Sequence, residues 1–390
     1  LGTTPVRKVY VRAWDAAAFA DAVAYGDSAL YALNLAAYET NDFGTWVVNQ
    51  VLGYPGPLAL LQDTNGDSIP DGYYVKIGMD PRAPVAPLAA AWTLQQKAGT
   101  YGSASNQFNF PTRLFLADPF VFVLDRQNAR ISVWDRSTLT PVRTYGSSGS
   151  ALGQFASPYG LGKAPNANRF AVADSGNHRI QVFTFNPATG AITFERQFGS
   201  YGSGAGQFNN PRDVAIDSLG RLYVADKDNH RVQVFDSAGA QLFSFGAFGT
   251  ANGQLTSPQG SAVDASGIIY VADTENNRIQ GFTGGGAYLW KTGTAGSGLG
   301  QFNKPLGIQL GLGNRIYVAD TSNHRIQVLD ANRNPVGILG SQGAGDGQVS
   351  FPHDVAPETN SAVVYVADTW NHRIQKLESI LDGEGDGMDD

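Results

Sequence analysis

Short apolar runs alternate with polar turns along residues 92–380, and one pattern recurs six times. In each copy an apolar run ends in Asp, a polar turn follows, and a second apolar run opens with Arg. In one copy these are residues 220–226, 227–230 and 231–235. β-Branched and aromatic residues favour strands, whereas Asp and Asn favour tight turns. The pattern therefore predicts a series of β-hairpins.

The copies are evenly spaced, with successive arginines 47–52 residues apart. A period of about 40–50 residues with several strands per repeat is typical of a β-propeller, so six copies predict six blades. Because the Asp and Arg recur in every copy, we expect them to form a structural ion pair rather than a catalytic one. The pairs are Asp125 and Arg130, Asp174 and Arg179, Asp226 and Arg231, Asp273 and Arg278, Asp320 and Arg325, and Asp368 and Arg373.

A fourth strand per repeat, such as residues 241–245, is followed by a loop in which Gly precedes Gln by eight positions. Residues 92–97 are a fourth strand without a hairpin of their own, and the last copy stops near residue 378. We expect the early strand to complete the last blade and close the ring. The predicted fold is all-β: a six-bladed β-propeller with four-stranded antiparallel blades, closed by an N-terminal strand and preceded by a small β-rich segment.

Three motifs resemble those of the NHL family of β-propellers: Gly-Gln-Phe before Pro, Tyr-Val-Ala-Asp, and Asn-His-Arg-Ile-Gln-Val. The resemblance covers residues 92–380 and implies a six-bladed ring around a central channel. It implies no single activity, because this fold hosts many functions.

The amino-acid composition argues against several classes of function. The 390 residues include no Cys, which excludes disulfides and thiolate metal sites, and the net charge of −7 argues against a nucleic-acid footprint. No apolar run approaches the length of about 18 residues that a membrane span needs. The chain starts at Leu1 without a visible signal peptide, as a processed exported protein or a trimmed chain would.

Four regions are expected: a β-rich segment over 1–60, an acidic linker over 61–90, the propeller over 91–380 and an acidic tail over 381–390. Within the first, patterning predicts a short helix over 16–24. Strands are predicted at residues 6–14, 28–37 and 45–52. This segment resembles edge segments of exported bacterial surface proteins.

The linker contains a candidate calcium loop that resembles thrombospondin type 3 repeats. Oxygen ligands recur at positions 1, 3, 5 and 9, with a backbone carbonyl at 7, as in loops that wrap Ca²⁺. The candidate ligands are Asp63, Asn65, Asp67, Ile69 and Asp71. Ser68 replaces the usual Gly, and Tyr74 stands where a bidentate Glu is expected. A solvated acidic turn is the alternative.

The acidic tail repeats this spacing in an incomplete calcium loop formed by Asp382, Glu384, Asp386 and Asp390. Two calcium motifs that flank one domain favour an extracellular or cell-surface location, where free calcium is abundant. Calcium is therefore the expected cofactor, and no organic cofactor is expected.

Differences between the repeats are more informative about ligands than the repeated residues are. The repeated histidines lie one per blade, too far apart to share a metal: His178, His230, His324 and His372. By contrast, the residues after the proline that opens each repeat vary, and we expect them to meet at one mouth of the channel. The candidates for binding a small polar ligand there are Tyr159, Arg212, Asp213, Gln259, His353 and Asp354. The alternative is that they fill the channel with salt bridges and water.

His353 follows Pro352. The peptide-amidating lyases, which resemble this chain in fold, carry Pro-His at three repeats and so supply three His ligands to one zinc ion, whereas here only Pro352 and His353 match. The other five equivalent positions here carry no His, so a three-ligand catalytic zinc site is not expected. The preferred function is a non-enzymatic surface module that binds proteins or copies of itself, with a fibre as one form. A metal-dependent lyase and a small-ligand sensor are the alternatives.

Overall fold

The structure is a computed structural model that describes residues 23–26, 29–32, 92–359 and 361–379. The chain divides into two units, Leu1–Ala86 and Pro87–Asp390, which are described separately. The calcium loops predicted at 63–71 and 382–390 lie outside the described residues, as do the strands predicted at 6–14 and 45–52.

In the first unit, β1 (Val23–Gly26) pairs antiparallel with β2 (Ala29–Ala32). The helix predicted over 16–24 is therefore wrong at its last two positions. Val23 and Tyr25 alternate with small residues, and β-branched and aromatic residues favour strands.

The second unit consists of six four-stranded antiparallel sheets, named blades 1 to 6 in chain order. Blade 1 contains β4 (Pro111–Ala117), β5 (Phe120–Asp125), β6 (Arg130–Asp135) and β7 (Pro141–Tyr145). Blade 2 contains β8 (Gly160–Lys163), β9 (Arg169–Asp174), β10 (Arg179–Phe185) and β11 (Ile192–Phe198). Blade 3 contains β12 (Pro211–Ile216), β13 (Leu222–Asp226), β14 (Arg231–Phe235) and β15 (Gln241–Phe245).

Blade 4 contains β16 (Pro258–Val263), β17 (Ile269–Asp273), β18 (Arg278–Phe282) and β19 (Tyr288–Thr292). The short β20 (Thr294–Ala295) and β21 (Gln301–Phe302) pair in parallel within the loop that follows. Blade 5 contains β22 (Pro305–Leu310), β23 (Ile316–Asp320), β24 (Arg325–Leu329) and β25 (Pro335–Leu339). Blade 6 contains β26 (Asp354–Pro357), β27 (Val363–Asp368), β28 (Arg373–Ser379) and β3 (Trp92–Ala98).

Single 3₁₀ turns join the second and third strands of blades 2 to 6. They are Ser175–Asn177, Lys227–Asn229, Thr274–Asn276, Thr321–Asn323 and Thr369–Asn371. A further 3₁₀ turn, Leu312–Asn314, lies between β22 and β23. No helix in the described part of the chain is long and apolar enough to span a membrane.

The ring is closed by strand pairing between its two ends. β3 pairs antiparallel with β28, from Trp92 opposite Ser379 to Ala98 opposite Ile374. The first strand of every blade contacts the first strands of both neighbouring blades, so these six strands line a central channel. The predicted six blades and the closure by the early strand are confirmed.

Apolar side chains fill the spaces between neighbouring blades. One buried cluster joins blade 6 to blade 1 and contains Leu114, Val121, Trp134 and Tyr365. The loop before each blade adds a buried side chain to this packing, such as Phe108 before blade 1. A glycine precedes that side chain in the loop, and Gly99 shows why. Its φ is +101°, and a Cβ there would lie 2.4 Å from the ring of Phe108. Glycine adopts positive φ without strain and leaves room for the aromatic ring.

The disc has two faces. We call the end of the channel where the inner strands begin the top face, and the end where they finish the bottom face. A cavity of about 520 Å³ at the bottom is lined by the ends of the inner strands, including Ile216, Val263 and Leu310. Because Trp92 pairs with Ser379, β3 begins and β28 ends at the bottom face.

Candidate functional site

The repeated Asp is a buried hydrogen-bond acceptor that holds each hairpin to the loop before it. Asp226 is fully buried. Its Oδ1 accepts the backbone N–H of Asn209 at 2.8 Å, and its Oδ2 accepts bonds from Asn229, Arg231 and Gln233 at 2.9–3.1 Å. In the six blades the Arg Nε and Asp Oδ2 atoms are 2.6–2.9 Å apart. This geometry is that of an architectural contact.

The four repeated histidines also connect blades. Each ends a 3₁₀ turn with a left-handed backbone, and its Nδ1 accepts a backbone N–H from the loop that opens the next blade, at 3.0–3.2 Å. The donors are Phe110, Asn210, Ser257 and Phe351 for His372, His178, His230 and His324.

The six predicted ligand residues lie at the top of the channel. Five are buried, with exposures of 0–9%, and Arg212 is half-buried. The Tyr159 hydroxyl lies 3.2 Å from His353 Nδ1, and the Arg212 guanidinium stacks over the Tyr159 ring at 4.1 Å. Asp213 and Asp354 lie deeper, while Gln259 contributes its backbone carbonyl to their network.

Arg113, which was not among the predicted ligand residues, closes the channel beneath them. It is 1% exposed and lies 3.3 Å from Asp213 and 3.4 Å from Asp354. It also donates to the carbonyls of His353 and Gln259 at 3.1 and 2.7 Å. Its signal in the sequence is charge, because the same position carries Arg once and Asp twice among the six repeats.

Burial controls the charge states of this network. Burial lowers the pKa of His353 to about 3, and the nearby arginines lower it further, so its imidazole is neutral at neutral pH. Burial raises the pKa of Asp354 to about 7, with Arg113 opposing the rise and Asp213 adding to it. Burial alone would lower the pKa of Arg113, but the two carboxylates outweigh it and raise it. The charge of Arg113 at the bottom of this site is thus neutralised by Asp213 and Asp354.

Two other arginines at the top are not compensated. The guanidiniums of Arg126 and Arg212 lie 5.2 and 4.1 Å from the centre of the Tyr159 ring. The Nε atom of each is buried without a hydrogen-bond partner. Within the described residues neither side chain forms an ion pair. Burial lowers the pKa of Arg212, and the charge of Arg126 lowers it further, while Tyr159 and Asp228 oppose the change. We call Arg126, Arg212 and Tyr159 the arginine pocket.

A row of aromatic rings lies beside this pocket, across the junction of blades 6 and 1. Phe351 and Phe110 contact the two sides of Trp370, with ring centres 4.8 and 5.7 Å away. Trp370 is 53% exposed, and both phenylalanines are half-buried. We call these three residues the aromatic row. The backbone N–H of Arg126 donates to the Phe110 carbonyl at 3.3 Å, so the row and the pocket adjoin.

The aromatic row is absent from the repeat pattern. Ser, Asn, Ser and Lys occupy the positions equivalent to Phe110 and Phe351 in the other blades, and Gln, Gly, Asp, Glu and Ser occupy those equivalent to Trp370. The residue before the opening proline has a left-handed backbone in all six blades, with φ of +56° at Phe110 and +43° at Phe351. The repeat therefore fixes this conformation, and only these two positions carry a bulky aromatic residue there. Sequence patterning does not locate the row, because Phe110 reaches Trp370 only when the ring closes.

The described residues of this surface do not form a group of metal ligands. Within the described residues no three His, Cys, Asp or Glu side chains are grouped so as to hold a metal ion. His353 faces Tyr159 and three arginines, which is not a set of zinc ligands. What the surface presents is exposed aromatic area beside uncompensated positive charge.

Comparison with known proteins identifies the repeats. The NHL repeat family matches residues 155–183, 208–235, 255–282 and 302–329. The chain is 30% identical over 128 residues to the B-box type zinc finger protein ncl-1 of Caenorhabditis elegans, covering 27% of this chain and 15% of that protein. It is 53% identical over 38 residues to human NHL repeat-containing protein 3, covering 10% of this chain and 11% of that protein. The matches span less than a fifth of either relative.

Solved structures share the fold. A structural genomics protein of unknown function from Bacteroides thetaiotaomicron VPI-5482 superposes with a TM-score of 0.55 at 19% identity, covering 74% of this chain and 76% of that one. Selenomethionine-substituted virginiamycin B lyase from Staphylococcus aureus gives a TM-score of 0.50 at 15% identity, covering 74% and 99%. At such identities the likeness concerns architecture alone. Together with the matched repeats, it shows that this chain carries NHL repeats and that its second unit is a six-bladed β-propeller.

Proposed function

We propose that this propeller is a non-enzymatic protein-interaction module that docks a partner on its top face. The aromatic row carries the proposal. Tryptophan and other aromatic side chains dominate the binding energy of protein interfaces, and exposed apolar patches on soluble domains commonly mark such interfaces. The row occurs at one junction of an otherwise repetitive ring, as expected for one docking site.

The partner that we propose is a second copy of the chain, joined head to tail. The flanking segments connect to the propeller at its bottom face, whereas the aromatic row and the arginine pocket lie at its top. Residues 382–390 contain five carboxylates, and the pocket contains two uncompensated cations. Contact between two different faces is heterologous, and repetition of such a contact builds an open filament.

Sedimentation velocity of the full chain over a range of concentrations tests this function. We expect assembly that increases with concentration. The test variant combines Phe110→Asn, Phe351→Ser and Trp370→Ser, which are residues that other blades carry at the equivalent positions. It should remain monomeric, because it loses the apolar contact area while relieving backbone strain.

The matched control replaces two exposed leucines on outer strands, Leu242→Ser and Leu289→Ser, which are 48% and 44% exposed. This variant should assemble like the natural chain. A natural chain that stays monomeric at every concentration, or a test variant that assembles as well as the control, would contradict the proposal.

We further propose that the module is secreted or displayed on a cell surface and that Ca²⁺ binds residues 63–71. The alternation of oxygen ligands from Asp63 to Asp71 supports the calcium site. Equilibrium dialysis with ⁴⁵Ca²⁺ should detect binding at millimolar calcium that Asp63→Asn with Asp67→Asn abolishes. Equal binding by the variant would contradict the site. Detection of the natural protein only inside the cell would contradict the location.

A further inference from the structure

The arginine pocket contains two cations that the propeller itself does not neutralise. Arg126 and Arg212 share the Tyr159 ring, and within the described chain the carboxylates of the neighbouring network are engaged elsewhere. Asp213 and Asp354 pair with Arg113, and Asp228 bonds to Lys227 and Asn210. A half-buried guanidinium without a carboxylate partner is partly desolvated, and an anionic ligand would offset that cost in free energy.

The geometry suits a carboxylate. A guanidinium presents parallel N–H donors that match the two oxygens of a carboxylate. Stacking on Tyr159 holds the Arg212 group in place before a ligand arrives. The two cations meet at one ring instead of forming a basic stripe, and the chain has a net charge of −7, which disfavours a nucleic acid.

We propose that Arg126 and Arg212 bind the carboxylates of an acidic peptide, namely residues 382–390 of a second copy of this chain. This inference rests on the proposed head-to-tail association, and it identifies the polar contact between the two copies. The peptide contains Asp382, Glu384, Asp386, Asp389 and Asp390, with glycines between the first four that allow it to bend into the pocket. Its apolar residues, such as Met388, can contact the adjoining aromatic row.

A second copy fits better than the same molecule. β28 ends at the bottom face and is the third strand from the channel. From there to the top of the innermost strand the path rises about 23 Å along the strand and runs inward about 10 Å across two strand spacings. Residues 380–390 span roughly 36 Å when fully extended, so the segment would have to be taut merely to reach its own pocket.

The test measures binding of a fluorescently labelled synthetic peptide of residues 380–390 by anisotropy at low salt. The protein is the full chain with Asp382→Asn, Glu384→Gln, Asp386→Asn, Asp389→Asn and Asp390→Asn, so that its own segment does not compete. We expect saturable binding that weakens at least tenfold with Arg126→Gln and Arg212→Gln together. Lys304→Gln, which removes a 55% exposed cation on blade 5, should leave binding unchanged.

Two peptide variants keep the test independent of whether the arginine variant folds. A peptide with Asn and Gln in place of its acidic residues should bind at least tenfold more weakly to the unaltered pocket. A peptide with an amidated C-terminus should bind as well as the free acid, if side-chain carboxylates are the ligands. A loss of binding on amidation would assign the contact to the terminal carboxylate instead and overturn the side-chain assignment.

Equal binding of the charged and uncharged peptides, or binding unaffected by the loss of both arginines, would overturn the inference. These results are distinguishable from failure of the proposed function. If peptide binding requires the two arginines but the full chain never assembles, the carboxylate site is supported and head-to-tail association is contradicted. If the aromatic substitutions abolish assembly but peptide binding does not depend on the two arginines, association is supported and the carboxylate site is contradicted.

Discussion

At the scale of single residues, one buried carboxylate per blade determines how each hairpin is anchored. The Asp226 side chain accepts four hydrogen bonds, from Asn209, Asn229, Arg231 and Gln233. Burial raises the pKa of this carboxyl group, although the surrounding donors oppose the rise. Such a group is tolerated in the interior because its hydrogen-bonding capacity is filled.

Asp226→Ala should therefore destabilise the propeller by about 3–5 kcal/mol, because it leaves a guanidinium, two amides and a backbone N–H without their acceptor. Urea unfolding followed by circular dichroism measures the loss. The control is Asp346→Ala, which removes a 63% exposed partner of Lys97 and should barely change the midpoint. Equal losses for the two variants would show that the repeated carboxylate is not a structural anchor.

His353 gives the molecule a defined acid sensitivity. Its pKa is lowered to about 3 in the folded state, below the ordinary value of about 6.5. The neutral imidazole therefore contributes stability that is fully present above pH 6.5 and is lost as the pH falls towards 3. Asp354, with its pKa raised to about 7, acts in the opposite direction, since its contribution is lost as the pH rises.

Comparison with His353→Gln isolates the histidine, because Asp354 is present in both proteins. Gln259 holds the equivalent position in blade 4, so the substitution is compatible with the fold. Between pH 7 and pH 5, the natural chain should lose roughly 2 kcal/mol of unfolding free energy relative to the variant. Chemical denaturation at several pH values measures this difference. Parallel pH profiles would contradict the assigned burial of a neutral imidazole.

Variation between repeats located part of the site from sequence, and the physical reason is symmetry. Equivalent positions after each opening proline converge at the channel, which is why Tyr159 and His353 meet. The comparison of residues after each opening proline did not identify Arg126. That residue lies one position after the repeated Asp, in a turn that the sequence pattern predicts to be solvated. Contacts across the closed junction, such as Phe110 with Trp370, depend on the fold rather than on any local pattern.

At the scale of elements, the seam between β3 and β28 joins residues almost 290 positions apart. Sequence patterning located it because six loops share a spacing of eight between Gly and Gln, but only five are preceded by a complete hairpin. Strand limits were less accurate. The strand expected from residue 220 starts at Leu222, because Gly220 has a φ of +78° and closes a turn with Asp217. Backbone requirements of this kind are invisible to apolar periodicity.

A disulfide across the seam tests its register in a chain that has no other Cys. Thr93 lies opposite Glu378, so Thr93→Cys with Glu378→Cys should oxidise readily. Because the bond closes most of the ring, it should raise Tm by about 5–10 °C over the reduced form. The out-of-register pair Thr93→Cys with Lys376→Cys should give no such gain. A gain from the second pair alone would show that the strands pair differently.

At the scale of the whole molecule, the two faces of the disc differ in chemistry. The top presents the aromatic row and two cations that form no ion pair among the described residues, whereas the bottom contains the start of β3, the end of β28 and the cavity of about 520 Å³. The repeated positions account for the closed ring. The proposed recognition depends on residues that break the repeat. The aromatic row lies at the junction where the ring closes, whereas Tyr159 and Arg212 lie at the top of blades 2 and 3.

Cross-linking between copies tests the proposed polarity of association most directly. Gln127 is exposed on the top face beside Arg126, and Thr359 is exposed at the bottom cavity. Each is replaced by Cys in a separate, differently sized tagged chain, and the two are mixed and mildly oxidised. The account predicts disulfide-linked heterodimers in the mixture and few dimers of either variant alone. Dimers formed by the Gln127→Cys chain alone, as efficiently as in the mixture, would contradict it.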